Sequence, residues 1–217
     1  GAEFILVENG NEHSVNLHMN GMFSVYNVLA AVTASLAMGI DIKVALKALQ
    51  NVKGVAGRFE VVVKKPLVIV DYAHTPDGLE NVLKSAREIT PKDGNLICLF
   101  GCGGDRDKTK RPVMGEIGAR LADFVIVTSD NPRTEDPEAI IADILHGLKE
   151  THTPYVVRPD RREAIAYAIE NHCPGDVIIL CGKGHEDYQI IGKTKVHMDE
   201  REIVAEILDK RKREKEK

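Results

Sequence analysis

Asp130-Asn131-Pro132-Arg133 sets a carboxylate, a carboxamide and a guanidinium within four residues. Pro132 forces Asn131 out of the helical region, which holds the segment extended. Such a set suits a zwitterion: acids and amide for an ammonium, and a guanidinium able to grip a carboxylate with two bonds. The same residues also fit an ordinary Asp/Asn-Pro turn that opens a helix. What favours the chemical reading is company, because five short apolar runs stop abruptly at polar clusters. FVIVT leads into Ser129 and this motif; LVIV leads into Asp71-Tyr72-Ala73-His74, and LICLF into Gly101-Cys102-Gly103-Gly104-Asp105-Arg106. YVVRP runs into Asp160-Arg161-Arg162, and VIILC into Gly182-Lys183-Gly184-His185-Glu186.

Each remaining cluster has a chemical reading and a plain one. The glycines of 101–104 let backbone amides approach an anion ahead of a helix, or simply make a strand–helix turn. Arg106 is placed to hold a carboxylate or phosphate, whereas Lys108, Lys110 and Arg111 read as solvated surface. Gly182-Lys183-Gly184 is a pliable strand end that would present Glu186 to an amine, with His185 either orienting it or structural. No second histidine follows His185-Glu186, and Asp187 stands where a Walker loop ending in Gly192-Lys193-Thr194 would need glycine, so neither motif is present. Asp71 could accept from ribose hydroxyls, while Thr75 caps the next helix with no ligand needed. Asp160-Arg161-Arg162-Glu163 reads as a helix start with solvated charges.

These clusters need a frame that brings them together. Runs of β-branched residues separated by amphipathic helical stretches predict buried parallel strands with right-handed crossovers. Ligands of an open α/β sheet bind outside the carboxyl ends of its strands, so one shared pocket is expected. Helices are expected near 77–89, 112–122, 137–149, 161–172 and 200–212, with a short hairpin before the last. Ahead of them, residues 3–8 and 14–19 read as a hairpin turning at Gly10. Ser24–Met38 reads as a helix closed by Gly39, and Asp41 caps a second one. The segment 52–58, VKGVAGR, is a candidate hinge.

The chain has 217 residues, 43% hydrophobic and 29% charged, with a net charge of -4. Mild acidity argues against a nucleic-acid partner. No apolar run is long enough for a membrane span, so a soluble cytoplasmic protein is expected, and as a monomer. The four cysteines form no C-x-x-C pair, which predicts free thiols and no metal site. The opening GAEFILVENG begins in mid-strand without methionine, as a fragment would.

In order along the chain, YNVLAA, GRFE, DYAHTPDGLENVL, GCGGDRDKTKRPVMG, SDNPRTEDP and GKGHEDYQI resemble the Mur ligase family. The likeness is strongest to its diaminopimelate-adding members, which serve bacterial peptidoglycan synthesis. It implies a Rossmann-like α/β domain, mainly parallel and flanked by helices, at 58–217, which binds the incoming amino acid. Residues 1–57 would be the end of a central ATP-binding domain. On the family's pattern Arg106, Asp130, Asn131, Pro132, Arg133, Gly182 and Glu186 fall at meso-diaminopimelate contacts. Asn27, Arg58, Asp71 and His74 fall near ATP. The implied partners are meso-diaminopimelate, ATP and a UDP-N-acetylmuramoyl dipeptide, with Mg²⁺ held mostly by the central domain. The glycine-rich GKT loop, the Mg²⁺ ligands and a carbamylated lysine have no counterpart in this chain. The resemblance therefore implies an ATP-dependent amide ligase whose activity this piece alone lacks, and assigns no catalytic side chain here. A lysine-adding ligase and a non-catalytic amino-acid-binding module are the alternatives.

Overall fold

The computed structural model describes residues 1–19, 21–149 and 151–215. They divide into two compact units, Gly1–Val55 and Ala56–Lys217, and the division falls inside the 52–58 segment.

In the first unit β1 (Ala2–Glu8) pairs with β2 (Asn11–Leu17) in antiparallel register, Glu8 opposite Asn11. Asn9 and Gly10 alone make the turn, with φ of 48° and 83°. Two consecutive positive φ values match the twist of a hairpin, which explains the Asn-Gly choice. Because the turn is this tight, β2 begins three residues earlier than its alternation suggests. Helices α1 (Met22–Ala37) and α2 (Ile42–Leu49) pack on the hairpin through Leu6, Val15, Leu17, Val28, Val32 and Leu46. Asp41 caps α2, accepting from the Lys43 amide at 2.8 Å.

The second unit carries a six-stranded sheet. Its strands are β3 (Glu60–Lys64), β4 (Leu67–Asp71), β5 (Leu96–Phe100), β6 (Phe124–Val127), β7 (Tyr155–Val157) and β8 (Val177–Cys181), in the spatial order β3-β4-β8-β5-β6-β7. Only β3 runs antiparallel to its neighbour. Every residue of β5 and β8 is buried, as expected for strands covered on both faces. Helices α3 (Pro76–Ile89), α4 (Lys110–Leu121) and α5 (Pro137–Leu148) connect strands that march one way across the sheet. Right-handed crossovers therefore put these three on one face. The return step from β7 to β8 puts α6 (Arg161–Asn171) on the other, beside α7 (Glu200–Lys215). There Ile165, Ile169, Ile203 and Val204 meet Val68, Val70, Ile97, Leu99, Ile178 and Leu180, alternate residues of three strands' inner face. Each such side chain buried stabilises by roughly 1.5–3 kcal/mol, which fixes strand register and hence the loops above.

The helix starts follow local capping chemistry. Thr75 accepts from Gly78 N at 3.2 Å, Asp136 from Glu138 N at 3.0 Å and Asp160 from Glu163 N at 2.9 Å. A short hairpin, β9 (Tyr188–Ile191) and β10 (Thr194–His197), follows β8, and Gly192-Lys193 sits in its turn.

Candidate functional site

Five parallel strands end on one rim, so the sequence clusters line up in space as Asp71, Gly182, Gly101, Ser129 and Asp160. The loops after β5 and β6 touch backbone to backbone. The Gly104 amide donates to the Asn131 carbonyl at 2.9 Å. A Cβ on Gly104 would run into the Pro132 carbonyl, and one on Gly101 would come within 2.9 Å of the Asp130 amide. Glycine is required at both places because no side chain fits there.

Arg133 holds an unusual backbone for its type, with φ +53°. Two hydrogen bonds to the β9–β10 hairpin fix it: its amide donates to Ile190 O at 3.0 Å, and Gly192 N donates to its carbonyl at 2.7 Å. Its guanidinium donates to Gly104 O at 2.9 Å and Asn131 O at 3.4 Å. Arg106 approaches from the other loop, and the two side chains flank Gly103: Arg133 Nη1 and Arg106 Cγ lie 2.9 and 3.8 Å from where a Cβ would stand. Arg106 is exposed and, among the described residues, donates only to its neighbour's carbonyl, Asp105 O, at 3.0 Å. Neither arginine meets a carboxylate among the described residues.

Beside this pair the rim turns acidic. Asp130, Asn131 and Pro132 are buried, and Gly182, at φ +115°, lies against the Asp130 carboxyl. Asn131 Nδ2 donates to Glu186 Oε2 at 3.0 Å, and its Oδ1 accepts from Lys183 Nζ at 2.8 Å and from Ile190 N at 2.9 Å. Lys183 Nζ also reaches Glu186 Oε2 at 3.1 Å and Asp130 Oδ1 at 3.5 Å. Burial pushes the Glu186 carboxyl upward, but hydrogen bonds from Asn131 and Lys183 outweigh it and hold the group below its ordinary range. Glu186 is therefore a carboxylate at neutral pH. Gln189 Nε2 donates to the Asp130 carbonyl at 2.6 Å, which ties β9 to the same loop.

Three long cations contradict their sequence reading as solvated charges or escaped it. Arg111 is fully buried, with Nη1 on Asp143 at 2.8 Å and Nη2 on Glu135 at 2.9 Å. It braces the glycine loop from behind, since Glu135 also accepts from the Asp105 amide at 2.6 Å. Arg161, read as part of a solvated helix start, is buried under the rim. It pairs with Glu200 and donates to Ser129 O at 3.2 Å and Cys181 O at 2.7 Å, stapling the ends of β6 and β8. Lys183 drew no attention as a site residue, yet it is the hub of the acidic half. Arg162, by contrast, lies exposed against Glu206.

A second cluster occupies the β4 end of the rim. The Arg58 guanidinium stacks 4.7 Å over the Tyr72 ring, which also contacts His74 at 4.7 Å and His185 at 5.1 Å. Lys110 Nζ donates to the His74 carbonyl at 2.7 Å. Two cations and two imidazoles, Lys110 at the start of α4 and the others on exposed loops, suit a polyanion. Asp71 itself is buried, and both its oxygens accept backbone amides, Phe59 N and Ala73 N, each at 2.7 Å. It shapes the cluster rather than facing outward. Asn27 is exposed on α1, in the first unit. Among the described residues no group of three His, Cys, Asp or Glu could hold a metal ion, and no helix is long and apolar enough to cross a membrane.

A family model described as "Mur ligase, glutamate ligase domain" matches residues 57–184. The chain belongs to the Mur ligase family. Among curated members it is 50% identical over 211 residues to a UDP-N-acetylmuramoyl-L-alanyl-D-glutamate–2,6-diaminopimelate ligase from Syntrophomonas wolfei, covering 96% of this chain and 43% of that one. A ligase of the same name from Synechococcus elongatus is 57% identical over 185 residues, 84% of this chain and 37% of the relative. A solved Mur ligase structure of that name superposes with a TM-score of 0.71 at 39% identity, covering 98% of this chain and 43% of that chain. This Mur ligase chain thus spans less than half the length of the curated relatives it matches.

Proposed function

We propose that this chain is the amino-acid-receiving part of an ATP-dependent ligase. The ligase would join meso-diaminopimelate to the D-glutamyl end of UDP-N-acetylmuramoyl-L-alanyl-D-glutamate in bacterial peptidoglycan synthesis. In this reading Ala56–Lys217 is the amino-acid-binding domain and Gly1–Val55 the end of the ATP-binding domain. The whole protein would be soluble, cytoplasmic and monomeric.

One observation carries the reading. Among the described residues Arg106 and Arg133 meet no carboxylate, and they flank Gly103, next to a rim where Asp130 and Glu186 gather around Lys183. A ligand carrying both carboxylate and ammonium groups, as diaminopimelate does at each end, satisfies both halves. Charge-assisted bonds to guanidinium are strong and directional, so they would fix the ligand's orientation as well as its affinity. ATP would supply activation of the D-glutamyl carboxylate by phosphorylation. This chain contributes by orienting the amine, an effect worth several kcal/mol where geometry is favourable. Arg58, His74 and Lys110 suit the phosphates; Asp71 would act by holding their loop, and Asn27 would meet the adenine. Mg²⁺ would be bound by residues outside this chain. Asn131 has both ends of its amide engaged, so its role is to hold Glu186 in place.

The test uses the full-length protein. Arg133→Ala should raise the KM for meso-diaminopimelate at least ~10-fold, because losing one partner of a charge-assisted pair costs roughly 2–5 kcal/mol. The KM for ATP and for the UDP-linked dipeptide should not move. L-lysine, which has no distal carboxylate, should be a poor substrate for the wild type. An unchanged KM in the variant, or equal use of lysine, overturns the assignment.

A further inference from the structure

The acidic half of the rim contains a charge with no outlet to solvent. Lys183 is completely inaccessible, and its ammonium lies among Asp130 Oδ1, Asn131 Oδ1 and Glu186 Oε2 at 3.5, 2.8 and 3.1 Å. A buried ammonium is costly unless paired, so its retention in this place calls for a reason. The aromatic face of Tyr188 closes the last side, with its centroid 5.3 Å from Nζ.

Counting charge in this pocket gives the reason. Asp130 and Glu186 contribute two negative charges and Lys183 one positive, which leaves one negative charge for a ligand. The other charged groups underneath cancel, because Arg161 is paired with Glu200. Arg133 faces the neighbouring half.

We propose that Lys183 is a positioning residue that keeps Glu186 ionised and sets the pocket to accept one ammonium group and no more. This rests on the amino-acid-binding reading of the rim for the ligand, but not for the state of Glu186. Without the lysine, two carboxylates would share a buried site, and one would take up a proton as like charges do. Glu186 meets Lys183 and Asn131 from the loops and Tyr188 from β9, with Asp130 on the same ammonium; among the described residues Lys183 is the only cation in hydrogen-bond contact with it. Neutral Glu186 would no longer attract an ammonium, so binding would weaken as pH falls through that raised midpoint.

The first experiment is ligand-free. Carboxyl ¹³C NMR follows the titration of Glu186 in the 217-residue chain, as wild type and as Lys183→Met. Removing an opposite charge at this distance should raise the midpoint by at least ~1 pH unit. A midpoint within ~0.3 unit of the wild type, well inside the shift a neighbouring charge produces, overturns the proposal whatever the ligand proves to be. If Lys183→Met does not fold, Lys183→Met/Glu186→Gln removes both charges together. That double variant should fold with a higher Tm than the single one, and a double variant no more stable would count against charge compensation. In the full-length enzyme, the KM of Lys183→Gln for meso-diaminopimelate should climb as pH falls toward the raised Glu186 midpoint, at a higher pH than in the wild type, while the KM for ATP stays flat. A pH-independent loss would assign Lys183 a purely structural part and overturn the proposal. No diaminopimelate use by the wild type, with the NMR shift intact, would instead overturn the substrate reading alone.

Discussion

Two guanidiniums five residues apart, Arg106 and Arg111, have opposite fates. Arg111 is fully buried and spends its donors on Glu135 and Asp143, whereas Arg106 is exposed and donates to a single backbone carbonyl. The difference separates what builds the site from what the site offers. A buried cation with carboxylates on it is scaffold, because removing it leaves a hole in the packing and the partly buried Glu135 without its main partner. An exposed cation without acids is a vacancy for a ligand anion and contributes little to folding. The two halves of the rim repeat the contrast: the Asp130–Lys183–Glu186 side is tied up by internal bonds, and the Arg106–Arg133 side is not.

That contrast can be broken in order of expected effect. Arg111→Met should destabilise the chain by roughly 1.5–3 kcal/mol in chemical denaturation, the cost of losing charge-assisted hydrogen bonds whose acids keep some access to water. Arg106→Ala should change stability by less than about 0.5 kcal/mol while weakening diaminopimelate binding in the full-length enzyme. Similar stability losses for the two would erase the distinction.

A pH titration sharpens it further. Arg111, then Lys108 and the Asp105 amide, hold the Glu135 carboxyl down to about 2. Its folded value lies below its unfolded one, so its contribution is full above the unfolded range and lost as pH falls toward about 2. Glu135→Gln should flatten stability over that acid window, and an unchanged acid limb would mean the brace is weak. The smallest effect concerns Arg133. Its left-handed backbone costs about 1 kcal/mol in a residue with a Cβ. Arg133→Gly should therefore be more stable than Arg133→Ala by several tenths of a kcal/mol or more, with the same loss of ligand binding.

Much of the frame was legible in the residues. Five apolar runs of β-branched type announced the parallel strands, and Thr75 and Asp160 marked helix starts that capping bonds account for. Asp130, Asn131 and Glu186 could be gathered because each follows such a run directly. The buried cations were not legible, for a physical reason. Arg161 meets Glu200 39 positions away, and Arg111 meets Asp143 32 away. Nothing local distinguishes such a side chain from a solvated one. Lys183 left a fainter trace: it sits between two glycines at a buried strand's end, where a long side chain has only the neighbouring strand loops to turn to.

The backbone contact between the loops after β5 and β6 has a consequence for anyone altering what this protein accepts. With carbonyls and amides of the two segments in direct touch at Gly101 and Gly104, they form one rigid part that cannot be reshaped piecemeal. New preferences would have to be written on the side chains that project from it, Arg106 and Arg133 first. Variation at the glycines would spoil the mould before it changed the casting.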